Sequence, residues 1–415
     1  MEKPATQKTP PMPFTGYQKF MIALLAFLQF TIILDFMIMS PLGAIMMPAL
    51  NITTAQFGTV VSAYAISAAL SGFLTAGFAD KFDRKKLLLF FYVGFIIGTL
   101  LCGIAPNFHF LMFARIFTGL FGGVIGSIVF AIMTDLFPLE QRGRVMGFLQ
   151  TAFAASQILG LPAGLYLSNQ WGWHMPFLMI VGVSTVAGVF IMYYMQPITE
   201  HLSLQTDKKA LEHLVHTMKV PRYLLAFAAT ALLSIGGFMM MPFASAFTVN
   251  NMGIHQDQLP MIYLITGLCS ILIGPLVGKA SDAFGKFNTF FFGTLVSIVT
   301  VLIYTHLGIT PLYLVILVNA VMFVGIFSRM IPSQALMSAI PTPANRGAFM
   351  SVSSSLQQLA GGMGSIIAGM IVVQEVSGKI SHFDTIGYVM TGIAVVALIM
   401  VYFINSFVTK ATGIR

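Results

Sequence analysis

The sequence predicts an all-α polytopic membrane protein with twelve transmembrane helices in two pseudo-symmetric six-helix bundles. Three observations carry that prediction. The 415 residues are 57% hydrophobic and only 8% charged, whereas a soluble domain averages about 25% charged residues and needs them to cover its surface. The apolar runs are ~18–30 residues long, enough for a helix to cross ~30 Å of hydrocarbon, and unlike the alternating runs of about ten residues in a membrane barrel. The charged stretches recur at about half the chain length.

In order, the chain opens with a polar, proline-bearing tail at 1–17, which carries no signal-peptide cleavage pattern. Spans are expected at 18–47, 56–79, 86–105, 108–136, 142–169 and 174–196, then at 222–249, 258–281, 287–306, 311–339, 345–373 and 384–408. These define an N-terminal bundle at 18–196 and a C-terminal bundle at 222–408, with a linker at 197–221 between them and a tail at 409–415. The linker carries Glu200, Asp207, Lys208, Lys209, Glu212 and Lys219. Of the 21 Lys and Arg residues, Arg115 and Arg329 lie inside spans and only Lys379 falls in an odd-numbered loop. By the positive-inside rule, both termini and the linker are expected in the cytoplasm. The net charge of +8 therefore reads as topology rather than as a nucleic-acid footprint. Cys102 and Cys269 both lie in apolar runs and read as free packing thiols.

Span 2 ends in a stretch that places six charges in seven residues, Asp80-Lys81-Phe82-Asp83-Arg84-Lys85-Lys86. A partner stretch runs from Gly278 to Lys286, with Asp282 lying 202 residues beyond Asp80. Arg142-Gly143 before span 5 matches Arg346-Gly347 before span 11, at an offset of 204. Phe36–Pro41 in span 1 matches Gly237–Pro242 in span 7, at an offset of 201. One design is written twice.

Twelve spans in two halves, with these loops, resemble the major facilitator superfamily over essentially the whole chain. The loop between spans 2 and 3 is similar to that family's signature, Gly-x-x-x-Asp-Arg/Lys-x-Gly-Arg-Arg/Lys-Arg/Lys. Asp80, Lys81, Arg84, Lys85 and Lys86 match it, whereas Ala76 and Asp83 stand where glycines are expected. The second copy keeps both glycines, Gly278 and Gly285, and loses most of the positive charge. The first copy therefore reads as the working electrostatic lock, with altered backbone geometry. Arg115 followed by Thr118-Gly119, the partial motif Gly160-Leu161-Pro162-Ala163-Gly164, and Trp171-Gly172-Trp173-His174-Met175-Pro176-Phe177 resemble the proton-coupled drug and metabolite efflux branch.

Full charges inside the spans are few: Asp35, Arg115 and Arg329, with Asp135 at one edge. Such residues usually face a cavity or a partner, because an ion in hydrocarbon costs several kcal/mol. Asp35 lies ~24 Å up span 1 and Arg115 ~10 Å below the outer end of span 4, at compatible depths. They read either as a proton-coupling pair or as a static structural pair. Arg329 lies ~27 Å into span 10. It is expected to meet an anionic part of a substrate, bond to backbone carbonyls, or snorkel to the inner surface. Cavity candidates are Gln150, Gln157, Asn319, Arg329, Ser354, Gln357 and Gln358, although amides also bridge helices.

Pro41 and Pro242 are expected to bend spans 1 and 7 near the outer gate. Gly160, Pro162 and Gly164, like the pairs Gly119/Gly123, Gly122/Gly126 and Gly274/Gly278, are expected to permit close helix contact, and in spans 5 and 8 to let the halves slide. The lock set is Asp80, Arg84, Asp135 and Arg142. Asp80 would face the N-terminus of span 11, and the resemblance implies an Arg84–Asp135 pair. Both contacts are expected only with the cytoplasmic side closed; the plain alternative is positive-inside charge.

No Ser/His/Asp set, metal-ligand spacing or phosphate-binding loop appears, so neither an enzyme nor a cofactor is expected. The resemblance implies a monomeric secondary transporter of the inner membrane that exports small amphipathic compounds by proton antiport, with the site near mid-membrane where the halves meet. Its expected partners are a small-molecule substrate, protons and membrane lipid. The alternatives are a proton symporter of an organic anion, a carrier of lipid-like molecules, and a receptor that binds without turnover.

Overall fold

The computed structural model describes residues 13–75, 81–199, 202, 217–341 and 346–412. They form twelve long helical segments. The first half holds α1 (Gly16–Leu50), α2 (Thr54–Thr75), α3 (Arg84–Gly103), α4 (Phe108–Leu136), α5 (139–171) and α6 (Met175–Tyr194). The second holds α7 (221–250), α8 (Leu259–Phe284), α9 (Lys286–Thr305), α10 (Leu312–Ala339), α11 (Arg346–Ile371) and α12 (Phe383–Thr412). Successive helices reverse direction, so Gly16 and Thr412 share one face of the bundle, here the terminal face; Leu50 and Phe383 lie at the far face.

Helix ends follow local chemistry. Thr15 and Gln18 form a capping box that opens α1, and Asn51 closes the helix in the left-handed region at φ 51°. Pro176, Pro221 and Pro260 sit in the first turns of α6, α7 and α8, where a missing N–H leaves no helical bond unmade. Pro162 follows a π-turn at Ser156–Gly160 that splits α5, a local widening next to a residue that cannot donate. α7 breaks at 241–243, around Pro242, into Pro221–Met240 and Ala244–Asn250.

Eleven of the twelve helices are long and apolar enough to cross a bilayer on length and composition alone. α11 is the exception, because serines, two glutamines and several glycines interrupt its 26 residues. Its neighbours account for its place: α11 packs along α2 on one side and α7 on the other, and Ser355, Gly361, Gly362, Gly364, Ser365 and Gly369 are buried against protein. A two-residue antiparallel ladder joins α11 to α12, pairing Val373 with Ser381 and Gln374 with Ile380. The Asn251 amide clamps it, donating to the Ile380 carbonyl and accepting from the Ile380 N–H, both at 2.8 Å.

The two halves pack alike. α2 and α3 pack on α4, α3 on α6, and α1 on α5 and α6; α8 and α9 pack on α10, α9 on α12, and α7 on α11 and α12. Between halves, α2 meets α11 and α5 meets α8, a symmetric exchange, and the end of α1 meets the second piece of α7.

The far face is closed by these contacts. Ser40 Oγ donates to the Met241 carbonyl and Ser245 Oγ to the Ser40 carbonyl, the latter at 2.9 Å. Thr54 Oγ1 donates to the Val372 carbonyl, and Asn169 Nδ2 to the Gln256 carbonyl at 3.2 Å. Pro41 and Pro242 flank the Ser40–Met241 contact, so the two copies of that motif touch each other across the halves.

The glycines divide by environment. A Cβ at Gly119 would lie 2.4 Å from the Tyr64 carbonyl oxygen, at Gly123 2.5 Å from Ala68 Cα, and at Gly58 2.6 Å from the Ser365 carbonyl oxygen. Gly274 and Gly278 face open space, so that pair makes no close helix contact. Gly160 and Gly164 lie against Leu34 and Ile38 of α1, inside their own half. The α5–α8 approach instead runs through Gly267, which faces Gln157 and Ile158. Gly119→Val is expected to lower the thermal midpoint sharply in detergent, since overpacking costs about 1–3 kcal/mol or more. Gly274→Val leaves the midpoint unchanged.

Candidate functional site

Three small residues bring the site together. A Cβ at Gly98 of α3 would lie 2.8 Å from Thr118 Cα, so only glycine lets α3 approach α4 this closely. Gly119 and Gly123 do the same for α4 against α2. The convergence leaves Asp35 of α1 among Thr99 of α3, Arg115 of α4 and Tyr64 of α2.

Arg115 Nη1 donates to Asp35 Oδ2 at 2.8 Å, and Thr99 Oγ1 donates to Asp35 Oδ1 at 3.2 Å. The side chains of Asp35 and Arg115 are 0% exposed. The Tyr64 ring lies under the guanidinium, 4.6 Å from its carbon, and supplies a cation–π contact. Among the described residues, Arg115 Nε and Nη2 are enclosed without a hydrogen-bond partner. One carboxylate therefore balances one guanidinium that uses a fraction of its donors. An unpaired ion here would be severely destabilising, so the charge state of each group depends on the other. A proton on Asp35 converts the neutral pair into a net cation. Both groups are sealed from solvent in this arrangement.

Spacing alone had matched the depths of Asp35 and Arg115, and the fold places them in direct contact. Thr99 and Tyr64 were not among the sequence candidates. Each is one polar side chain in an apolar run, a signal shared by many helix-packing residues.

The remaining candidates scatter. Gln157 is buried in the π-turn of α5 opposite Gly267. Asn319 Nδ2 donates back to the Val315 carbonyl at 2.8 Å, a local bond within α10. Ser354 and Gln357 are exposed on α11 and Gln358 is half-buried. The Gln150 side chain and Asp80 lie outside the described residues. Arg329 is largely enclosed in α10, and its Nε has no hydrogen-bond partner. The acids described in the second half, Asp257, Asp282, Glu375 and Asp384, lie at helix ends or in loops.

At the terminal face, Arg84 Nε bonds Asp135 Oδ2 at 3.0 Å. The pair joins α3 to α4 within one half. Arg142 donates through Nε to the Phe137 carbonyl at 3.0 Å and through Nη2 to the Thr134 carbonyl at 2.7 Å. It thereby caps the end of α4 rather than bridging the halves. Asp83, which stands at a signature glycine position, has φ −55° and accepts from the Lys85 and Ile198 N–H groups at 2.9 and 3.0 Å. It is an N-cap that also holds the chain after α6. Gly285, its counterpart, has φ +92°, which only glycine adopts readily. The two copies of the loop therefore use different backbone geometry.

Comparison with known proteins agrees with this architecture. The uncharacterised MFS-type transporter YceJ of Bacillus subtilis (strain 168) is 27% identical over 88% of this chain and 92% of its own. Multidrug resistance protein 2 of the same bacterium is 25% identical over 58% of this chain and 61% of its own. In fold, a bacterial homologue of the human lysosomal transporter Spinster, crystallised inward-facing and occupied, superposes with a TM-score of 0.72 at 14% identity, covering 97% of this chain and 98% of that one. The family profile described as Major Facilitator Superfamily matches residues 25–365 and 226–413. The chain therefore belongs to the major facilitator superfamily, and is a membrane transporter rather than an enzyme.

Proposed function

We propose that the protein is a proton-coupled exporter of small amphipathic compounds that works by alternating access. In this reading it lies in the plasma membrane as a monomer with both termini in the cytoplasm. The sealed Asp35–Arg115 pair carries the proposal. It holds a titratable carboxylate away from water, against a single compensating cation, in the half of the chain where α1 also forms the far-face seal. When that seal opens, α1 moves and the pair is exposed. Proton loading and seal opening are thus linked through one helix.

The Lys and Arg distribution supports the orientation, since the basic loop residues described, Lys379 apart, lie on the terminal face. Under it the closed far face is the outer gate, formed by the Ser40–Met241 and Thr54–Val372 contacts. The drug-resistance relative supports export. Within this frame Arg84–Asp135 and Arg142 brace α3, α4 and α5 as one body, and a lock between the halves falls to Asp80.

Asp35→Asn is expected to abolish proton-driven uptake into everted vesicles while substrate binding persists. Full gradient-driven transport by this variant would remove Asp35 from the mechanism. Arg84→Ala is expected to lower the thermal midpoint without changing the distance between labels at the terminal-face ends of α2 and α11. Asp80→Asn is expected to lengthen that distance, which double electron–electron resonance reads directly.

One observation favours a second reading, transport of an organic anion: Arg329 is an enclosed cation within α10 whose Nε has no hydrogen-bond partner among the described residues. Under it, Arg329→Gln weakens binding of anionic compounds by about tenfold or more, since a charged hydrogen bond is at stake. Binding of neutral and cationic compounds is unaffected. A thermal-shift screen of both variants across compound classes separates the readings.

A further inference from the structure

A groove of about 360 Å³ runs between the terminal-face ends of α1 and α5. Its walls are Phe14, Ile22, Ala23 and Ala26 on and before α1 and Phe148 and Thr151 on α5, and its mouth carries Lys19 and Arg144. Both cations are exposed, and neither is ion-paired among the described residues. The Arg144 guanidinium lies 4.5 Å from the centroid of the Phe14 ring, which itself packs edge-on against Phe137 at 6.0 Å. That stack holds the cation at the mouth.

The groove is graded along the helix axis. Lys19 is three residues from the start of α1, and Ala26 lies seven residues, ~10 Å, deeper. Charge therefore sits where a bilayer has its headgroups and apolar surface where it has acyl chains. A water-soluble anion would use the two cations and leave the apolar walls bare. A zwitterionic lipid would fill the walls and bring its own cation to the mouth. The arrangement matches one occupant on both counts.

We propose that this groove binds one anionic phospholipid from the leaflet at the terminal face, its phosphate between Lys19 and Arg144 and an acyl chain along Ala23, Ala26 and Phe148. Basic pockets between transmembrane helices recognise anionic headgroups in this manner. The occupant bridges α1, which carries Asp35, and α5, which meets α8 across the halves, so it ties the bilayer to the helices that move in transport. The assignment of the leaflet as cytoplasmic rests on the orientation proposed above, whereas binding itself does not.

Native mass spectrometry of the full chain in detergent, titrated with phosphatidylglycerol or phosphatidylcholine, tests binding without any transport step. It therefore fails independently of the export reading. Wild type is expected to retain one phosphatidylglycerol in preference to phosphatidylcholine. Lys19→Gln and Arg144→Gln are each expected to weaken retention about fivefold, and the double variant about 25-fold. Ala23→Trp fills the groove and is expected to abolish retention with both cations present, its thermal midpoint confirming the fold. Lys86→Gln, a basic residue outside the groove, leaves retention unchanged. Equal retention of the two lipids, undiminished retention by the double variant, or an equal loss in Lys86→Gln would overturn the proposal. Displacement of the lipid by glycerol phosphate at matched concentration would also overturn it, assigning the cations to a soluble anion.

Discussion

A guanidinium and a carboxylate in full contact and out of reach of water constrain every helix around them. Asp35 and Arg115 belong to α1 and α4, and neither can be left alone in the interior without a cost of several kcal/mol. α1 and α4 must therefore stay in register with each other to within about the tolerance of a hydrogen bond. α3 contributes Thr99 and α2 contributes Tyr64, so four of the six helices of the first half are referenced to one ion pair. The glycines make this possible. With a Cβ at position 98 or 119, the backbones of α3, α4 and α2 would stand apart and the carboxylate would lose its partners.

The second half has the same packing plan without the same chemistry. α8 and α9 clasp α10 as α2 and α3 clasp α4, and α9 meets α10 through Gly293 against Ser328 and Gly325 against Ser297. No intramembrane carboxylate is described there. The symmetry is one of shape, while the buried acid lies on one side of it. The halves meet at the far face through the ring pairs Phe36–Phe238 and Phe57–Phe243 and through serine and threonine hydroxyls on backbone carbonyls, one of them the Met241 carbonyl at the break in α7. Contacts of that kind are individually modest, about 1 kcal/mol each. A seal built from them holds and can still be released.

Departures from regular helix fall where the two halves meet. The π-turn of α5 brings Gln157 and Ile158 to Gly267, and the break in α7 brings Met241 to Ser40. Each accompanies a proline in the first or second copy of the repeat. Proline removes a donor and frees a carbonyl, and here the irregular backbone faces protein rather than lipid, which is where a membrane tolerates it.

The sequence by itself determined the class, the number of spans, the twofold repeat and the depth of the intramembrane charges. Each depends on local hydropathy, helix rise and the high cost of an ion in hydrocarbon, and none needs knowledge of a neighbour. It also marked Asp35 and Arg115, because two opposite charges at one depth have few other places to go. Only the tertiary structure decided which face each helix presents. In an apolar chain both lipid and protein accept Leu, Phe or Gly, so composition carries no record of what Gly160, Gly274 or Thr99 touches. The structure alone turned Gly160 toward α1 and left Gly274 facing nothing, made Asp83 a helix cap instead of a glycine turn, and set Arg142 on the end of α4. It also brought Lys19 and Arg144, 125 residues later, to one groove, since such a pairing is fixed by how α1 lies against α5 and by no property of either helix alone.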